Sequence, residues 1–128
     1  MIRLENISKY YHSGNNIVLA LRKINLDMNI GEFIVITGES GSGKSTLLNV
    51  LSGLDTYEEG KLFINNKNVS HYSVRELEHY RKDYIGFIFQ DYNIINSYSV
   101  YQNVALALTV QGLSKEEKHQ KINKSKRR

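Results

Sequence analysis

The chain contains no cysteine. That excludes a disulfide framework and any thiolate metal site, and it suits a reducing cytosol. No uninterrupted apolar run approaches the roughly 20 residues that a membrane helix needs. Met1-Ile2-Arg3-Leu4-Glu5 lacks the long apolar stretch of a signal peptide, so membrane association is expected only through a partner. Internal repeats and low-complexity blocks are also missing, which argues against a solenoid. Charge of one sign is scarce over most of the chain. Residues 1–114 hold 10 Lys+Arg against 11 Asp+Glu, whereas residues 115–128 hold 7 against 2. The net charge of +4 is therefore a property of the tail. A basic tail can attract nucleic acid, but this one has no interleaved aromatics, and a solvated helix end is the preferred reading. No nucleic-acid partner is expected. His12, His71, His79 and His119 have no metal-ligand spacing and read as surface residues.

What is present is one domain's worth of chain, 128 residues with 41% apolar content, enough for a core. Ile2, Leu4 and Ile7 predict a first short strand. Tyr10–Asn16 is polar, contains Gly14, and reads as a loop. Ile24, Leu26, Met28 and Ile30 alternate with polar residues, as in a half-buried strand, and Asn29-Ile30-Gly31-Glu32 supplies turn chemistry. Phe33-Ile34-Val35-Ile36 is a continuous run suited to a strand buried on both faces. Thr46 to Leu51 reads as an apolar helix that Gly53 can cap. Lys61 to Ile64 predicts a strand before a turn at Asn65-Asn66, and Ile85-Gly86-Phe87-Ile88-Phe89 predicts another strand. Ser73/Glu76, Ser99/Gln102 and Ser114/Glu117 are three capping boxes that open helices. The order of elements argues α/β or α+β.

The chemistry sits between the buried run and the apolar helix. Gly38-Glu39-Ser40-Gly41-Ser42-Gly43-Lys44-Ser45 fits G-x-x-x-x-G-K-[ST] at every fixed position. From average residue frequencies such a match arises by chance in roughly one chain of this length in a few hundred. The strand-loop-helix context sharpens it further. Gly38, Gly41 and Gly43 permit positive φ and close approach to a ligand. The loop's N–H groups then form an anion nest at a helix N-terminus. Lys44 places a mobile ammonium on β- and γ-phosphates, and Ser45 offers a hydroxyl to Mg²⁺.

The flanking residues carry a family resemblance. Gly38 through Asn49 resembles the Walker A segment of ATP-binding-cassette (ABC) transporter ATPases. Gly53-Leu54-Asp55 followed by Glu59-Gly60 is similar to the segment after it, Phe87-Ile88-Phe89-Gln90 to the Q-loop, and Ser99-Val100-Tyr101-Gln102-Asn103-Val104 to the next helix. The likeness runs from about residue 2 to about residue 122. Tyr84 through Gln90 places it nearest the class serving macrolide export, lipoprotein release and antimicrobial-peptide resistance.

The resemblance implies an α/β fold, a P-loop NTPase core with an antiparallel β-subdomain. Residues 1–98 would hold that subdomain and the core up to the Q-loop. Residues 99–128 would begin the helical subdomain and end in the basic tail. Implied cofactors are ATP and Mg²⁺. Implied nucleotide contacts are Gly38, Glu39, Ser40, Gly41, Ser42, Gly43, Lys44, Ser45 and Thr46, with Tyr11 stacking on adenine and Tyr10 its alternative. Ser45 and Gln90 would contact Mg²⁺, and Gln90 also the attacking water. Partners would be a transmembrane permease and a second ATPase copy, at the cytoplasmic face of the membrane. The family's signature segment, Walker B strand and switch His do not occur in this sequence. Little hydrolysis by this chain alone is therefore expected, along with bare apolar surface at Ile34–Ile36. A non-catalytic nucleotide-binding or dimerisation module is the rival reading.

Overall fold

Ile2, Leu4 and Ile7 do open a strand, and it is longer than their spacing predicts. In the computed structural model, which describes residues 1–91 and 93–125, β1 runs Ile2–Ser13 and pairs antiparallel with β2, Asn16–Met28. β3 (Glu59–Ile64) joins the other side of β1, and β4 (Lys67–Asn68) joins β3. The sheet order is β2-β1-β3-β4. This sheet, α1 (Lys44–Leu51) and α2 (Val74–Tyr84) belong to a unit spanning Met1–Asp83. A second unit begins at Tyr84 and carries α3 (Val100–Val110) and α4 (Lys115–Ser125). The α/β class holds.

Three local expectations are corrected. Tyr10–Asn16 is mostly ladder rather than loop: Tyr10 pairs with Leu19, Tyr11 with Val18 and His12 with Ile17. Only Gly14 and Asn15 turn, with Gly14 at φ 60. A left-handed Gly at the first central position is the chemistry of a two-residue hairpin, whose twist matches its strands. Phe33-Ile34-Val35-Ile36 forms no strand, and Phe33 is 91% exposed. Ile85–Phe89 forms none either, with Ile88 95% exposed, although the Phe87 and Phe89 rings lie 4.4 Å apart. Both runs have strand composition. A strand also needs a neighbour for its backbone groups, and no described segment supplies a ladder to either.

The β1–β2 ladder is irregular where it matters. Asn6 (φ 53) and Lys23 (φ 47) are left-handed, and the register shifts between Leu4 and Ile7 and again between Ile7 and Lys9. Side chains cap the disturbed amides. Asn6 N–H donates to Asn25 Oδ1 (2.9 Å) and Lys23 N–H to Ser8 Oγ (3.2 Å). Such bulges re-aim side chains. Here Ile7, Ser8 and Lys9 are buried in succession, outside the in-and-out alternation of a half-buried strand.

The core of the first unit joins Leu4, Ile7, Leu21, Leu62, Ile64 and Val69 to Val50, Leu51 and Tyr80. Burying each large apolar side chain stabilises the fold by about 1.5–3 kcal/mol. Gly53 caps α1 as expected. It is left-handed (φ 69), its N–H donates to Val50 O (3.1 Å), and Leu54 N–H donates to Asn49 O (2.9 Å), the paired bonds of a Schellman ending. Helix α2 holds that ending in place. Tyr80 Oη donates to Leu51 O (2.8 Å), and Arg81 donates to Gly53 O.

All three predicted capping boxes form. Ser73 N–H donates to the Glu76 carboxylate at 2.8 Å, Ser99 N–H to Gln102 Oε1 at 2.7 Å, and Ser114 N–H to Glu117 at 2.8 Å. In the second unit the Asn103 amide ties α3 to the segment before it, accepting from Ile95 N–H (2.9 Å) and donating to Tyr98 O (3.2 Å). Tyr101 and His119 bring α3 and α4 together with ring centroids 6.1 Å apart.

Candidate functional site

The glycine-rich loop leads directly into α1. Gly38, Gly41 and Gly43 all have positive φ (155, 81 and 89). Gly43 is the helix N-cap, and its need for glycine is steric as well as conformational. A Cβ there would lie 2.5 Å from the Ala20 carbonyl oxygen of β2. The loop therefore seats α1 directly against the sheet backbone. Lys44 folds back over the loop. Its ammonium donates to Gly38 O (2.9 Å), Glu39 O (2.6 Å) and Ser42 Oγ (3.4 Å). No acidic residue lies in the first turn of α1, so the positive end of the helix dipole is not neutralised from within. Glu39, Ser40, Ser42 and Ser45 are exposed, while Thr46 is half-buried. The result is an exposed glycine loop with one cation folded over it at a helix N-terminus, the arrangement that attracts phosphate.

Tyr11 belongs to the same unit. Its Oη donates to Asp55 Oδ2 at 2.7 Å, and the residue as a whole remains 39% exposed. The Asp55 bond lifts the phenol above its ordinary value, with help from burial, and the nearby Thr46 hydroxyl partly offsets this. Tyr10, the alternative, has its N–H committed to Glu58 Oε2 (2.7 Å).

Sequence reasoning missed the charge cluster behind Tyr11. Lys9 Nζ bonds Asp55 Oδ1 (3.1 Å) and Glu58 Oε1 (3.3 Å), with only 7% of the Lys9 side chain exposed. Asp55 also accepts from Thr56 N–H at 2.7 Å. Burial works against the Lys9 charge, but Asp55 and Glu58 outweigh it and raise the ammonium's pKa. Burial likewise works against the Asp55 carboxylate, and the Tyr11, Lys9 and Thr56 bonds outweigh it to hold the pKa below its ordinary value. Lys9 carries no distinguishing signal in a strand that also holds Arg3, Glu5, Asn6 and Ser8. The bulges that bury it leave no mark in a period-two pattern.

Gln90 lies in the second unit, exposed in a turn at Gln90-Asp91. His12, His71, His79 and His119 are all exposed, as read from the sequence. Among the described residues no helix is long and apolar enough to cross a membrane.

A fold with a lysine-bearing glycine loop at the head of a helix, beside an antiparallel sheet, defines a nucleotide-binding class of protein. The ABC transporter family model matches residues 21–128, and the chain belongs to that family. An uncharacterized ABC transporter ATP-binding protein, MJ0796 of Methanocaldococcus jannaschii, is 44% identical over 108 residues, covering 84% of this chain and 46% of the relative. The macrolide export ATP-binding/permease protein MacB of Campylobacter fetus subsp. fetus is 43% identical over 126 residues, covering 98% of this chain and 19% of that one. A solved structure of the MJ0796 cassette, a dimer in a post-hydrolysis state bound to ADP and Pi, superposes with a TM-score of 0.86 at 40% identity. It covers 94% of this chain and 53% of that chain. The chain thus spans about half the length of MJ0796 or less of its longer relatives.

Proposed function

We propose that this chain forms the nucleotide-binding part of a transporter ATPase and binds ATP with Mg²⁺ through residues 38–46. The observation that carries this reading is Lys44, bridging Gly38 O and Glu39 O over an open loop at the α1 N-terminus. On binding, the ammonium exchanges those carbonyls for β- and γ-phosphate oxygens, a stronger charge-assisted pairing. Backbone N–H groups of Gly38, Glu39, Ser40, Gly41, Ser42 and Gly43 cradle the phosphates, and Tyr11 stacks on the base.

The donor chemistry fits magnesium. Ser45 presents an exposed hydroxyl oxygen, and Mg²⁺ in nucleotide sites takes one or two protein oxygens, with phosphates and waters completing its shell. When bound, the ion neutralises charge on the phosphates. Ser45 would hold it through that hydroxyl oxygen. Among the described residues no group of three His, Cys, Asp or Glu is placed to hold a metal.

The working assembly pairs two ATPase copies on a membrane permease, at the cytoplasmic face. The dimeric state of the solved relative and the ATP-binding/permease name of MacB support this. The exposed Phe33 and Ile88 are surface that such an assembly, or the rest of a cassette, covers. In this reading the chain binds nucleotide but turns over little on its own. Equilibrium binding of a fluorescent ATP analogue tests the first half: saturable, Mg-dependent binding that Lys44→Ala abolishes supports it, and equal binding by the variant contradicts it. Phosphate release that depends on Lys44 contradicts the second half.

A further inference from the structure

We infer that Asp55, held by Lys9, is a positioning residue for Tyr11 and fixes its ring as the platform for the nucleotide base. The inference rests on the proposed base contact of Tyr11, and adds to it a role for Asp55 and Lys9. An exposed tyrosine near a hairpin end ordinarily samples several rotamers. Here the hydroxyl is bound to Asp55, 44 positions away in sequence, at 2.7 Å. Asp55 is itself immobilised, because its Oδ1 takes the Thr56 N–H at 2.7 Å and the Lys9 ammonium at 3.1 Å. Lys9 in turn reaches Glu58 at 3.3 Å, and the other Glu58 oxygen takes the Tyr10 N–H at 2.7 Å. Three consecutive residues of β1 are thereby stapled to the segment that follows α1.

The geometry also fills one face of the ring. The Lys9 ammonium stands over one face, 5.1 Å from the centroid, a cation–π arrangement. Tyr11 as a whole residue keeps 39% of its surface exposed, which leaves room for a flat ligand beside the ring. Base platform and phosphate loop lie within one unit. Pre-ordering of this kind removes the cost of immobilising a side chain on binding. The ligand it suits is a planar base carried on a polyphosphate.

Calorimetric titration of the chain with Mg-ATP and, separately, with magnesium tripolyphosphate tests this. Tyr11→Phe keeps the ring and loses the Asp55 bond, and Asp55→Ala loses the anchor. Each is expected to weaken ATP binding by about 3- to 10-fold, the effect of freeing one side chain, and to leave tripolyphosphate binding within about twofold. An equal loss for both ligands, or no loss for ATP in Tyr11→Phe, overturns the inference. If Asp55→Ala fails to fold, Tyr11→Phe decides alone, since it removes no packed ring. Tyr11→Ala separates the levels. A loss of ATP affinity there, with none in Tyr11→Phe, keeps the base contact but overturns the role of Asp55. Wild type that binds neither ligand overturns both the nucleotide-binding reading and the inference built on it.

Discussion

Replacing Lys9 by Met tests whether the charge cluster is a structural clamp. Lys9 carries its ammonium between Asp55 at 3.1 Å and Glu58 at 3.3 Å with 7% of its side chain exposed. A hydrogen bond to a charged group contributes about 1.5–3 kcal/mol net, and breaking a buried ion pair costs about 3–5. Asp55 and Glu58 retain 29% and 42% exposure, so water partly re-solvates them when the lysine is gone. The lower end applies, about 2–3 kcal/mol, because solvent screening discounts exposed partners. For a chain of this size that lowers Tm by roughly 8–12 °C.

The pH dependence gives a second signature. The folded pKa of Asp55 is depressed, so its contribution is present above the ordinary value of 3.8 and is lost as pH falls through the lower folded value. The folded pKa of Lys9 is raised above 10.5, so its contribution is present below 10.5 and lost as pH rises through the higher value. The gap between wild type and Lys9→Met should therefore be widest near neutrality and close in acid. Thermal melts followed by circular dichroism across that range measure it. A gap under about 2 °C at neutral pH, against the expected shift, or one that stays constant into acid, refutes the clamp.

Two other substitutions probe the scaffold. Gly43→Ala places a Cβ 2.5 Å from the Ala20 carbonyl, at φ 89. It should cost about 2–3 kcal/mol in chemical denaturation by combining overpacking with backbone strain, and a neutral result would mean α1 does not seat on β2 as described. Tyr80→Phe removes the 2.8 Å bond to Leu51 O and should cost about 1 kcal/mol. Burial pushes that phenol up to about 12, so its stabilisation holds below the ordinary value of 10 and is lost as pH rises toward 12. Spectrophotometric titration should show one fewer late-ionising tyrosine in the variant than in the wild type.

The helical parts were the most legible in the sequence because their signals are local. A Ser followed three residues later by Glu or Gln marks a capping box within one turn, and all three boxes formed. Gly53 ended α1 for the same reason. The glycine loop was legible because its chemistry fixes residue type at fixed spacing. The strands were less so. Ladder pairing carries Tyr10–His12 through a stretch whose polarity suggests a loop. Phe33–Ile36 and Ile85–Phe89 have strand composition without a described neighbour to pair with. The Lys9–Asp55–Glu58 cluster was hidden because register shifts in the β1–β2 ladder and a 46-residue separation create it, and neither leaves a periodic trace.

The most direct test of nucleotide binding is the melting temperature of the chain with and without Mg-ATP, run beside Lys44→Ala. At about 100 times its dissociation constant, a ligand specific for the folded state stabilises by roughly 2.7 kcal/mol. The account predicts an upward shift of several degrees in wild type and none in the variant. No shift in wild type, or the same shift in both, would contradict it and would mean that Lys44 and its loop do not hold the phosphates.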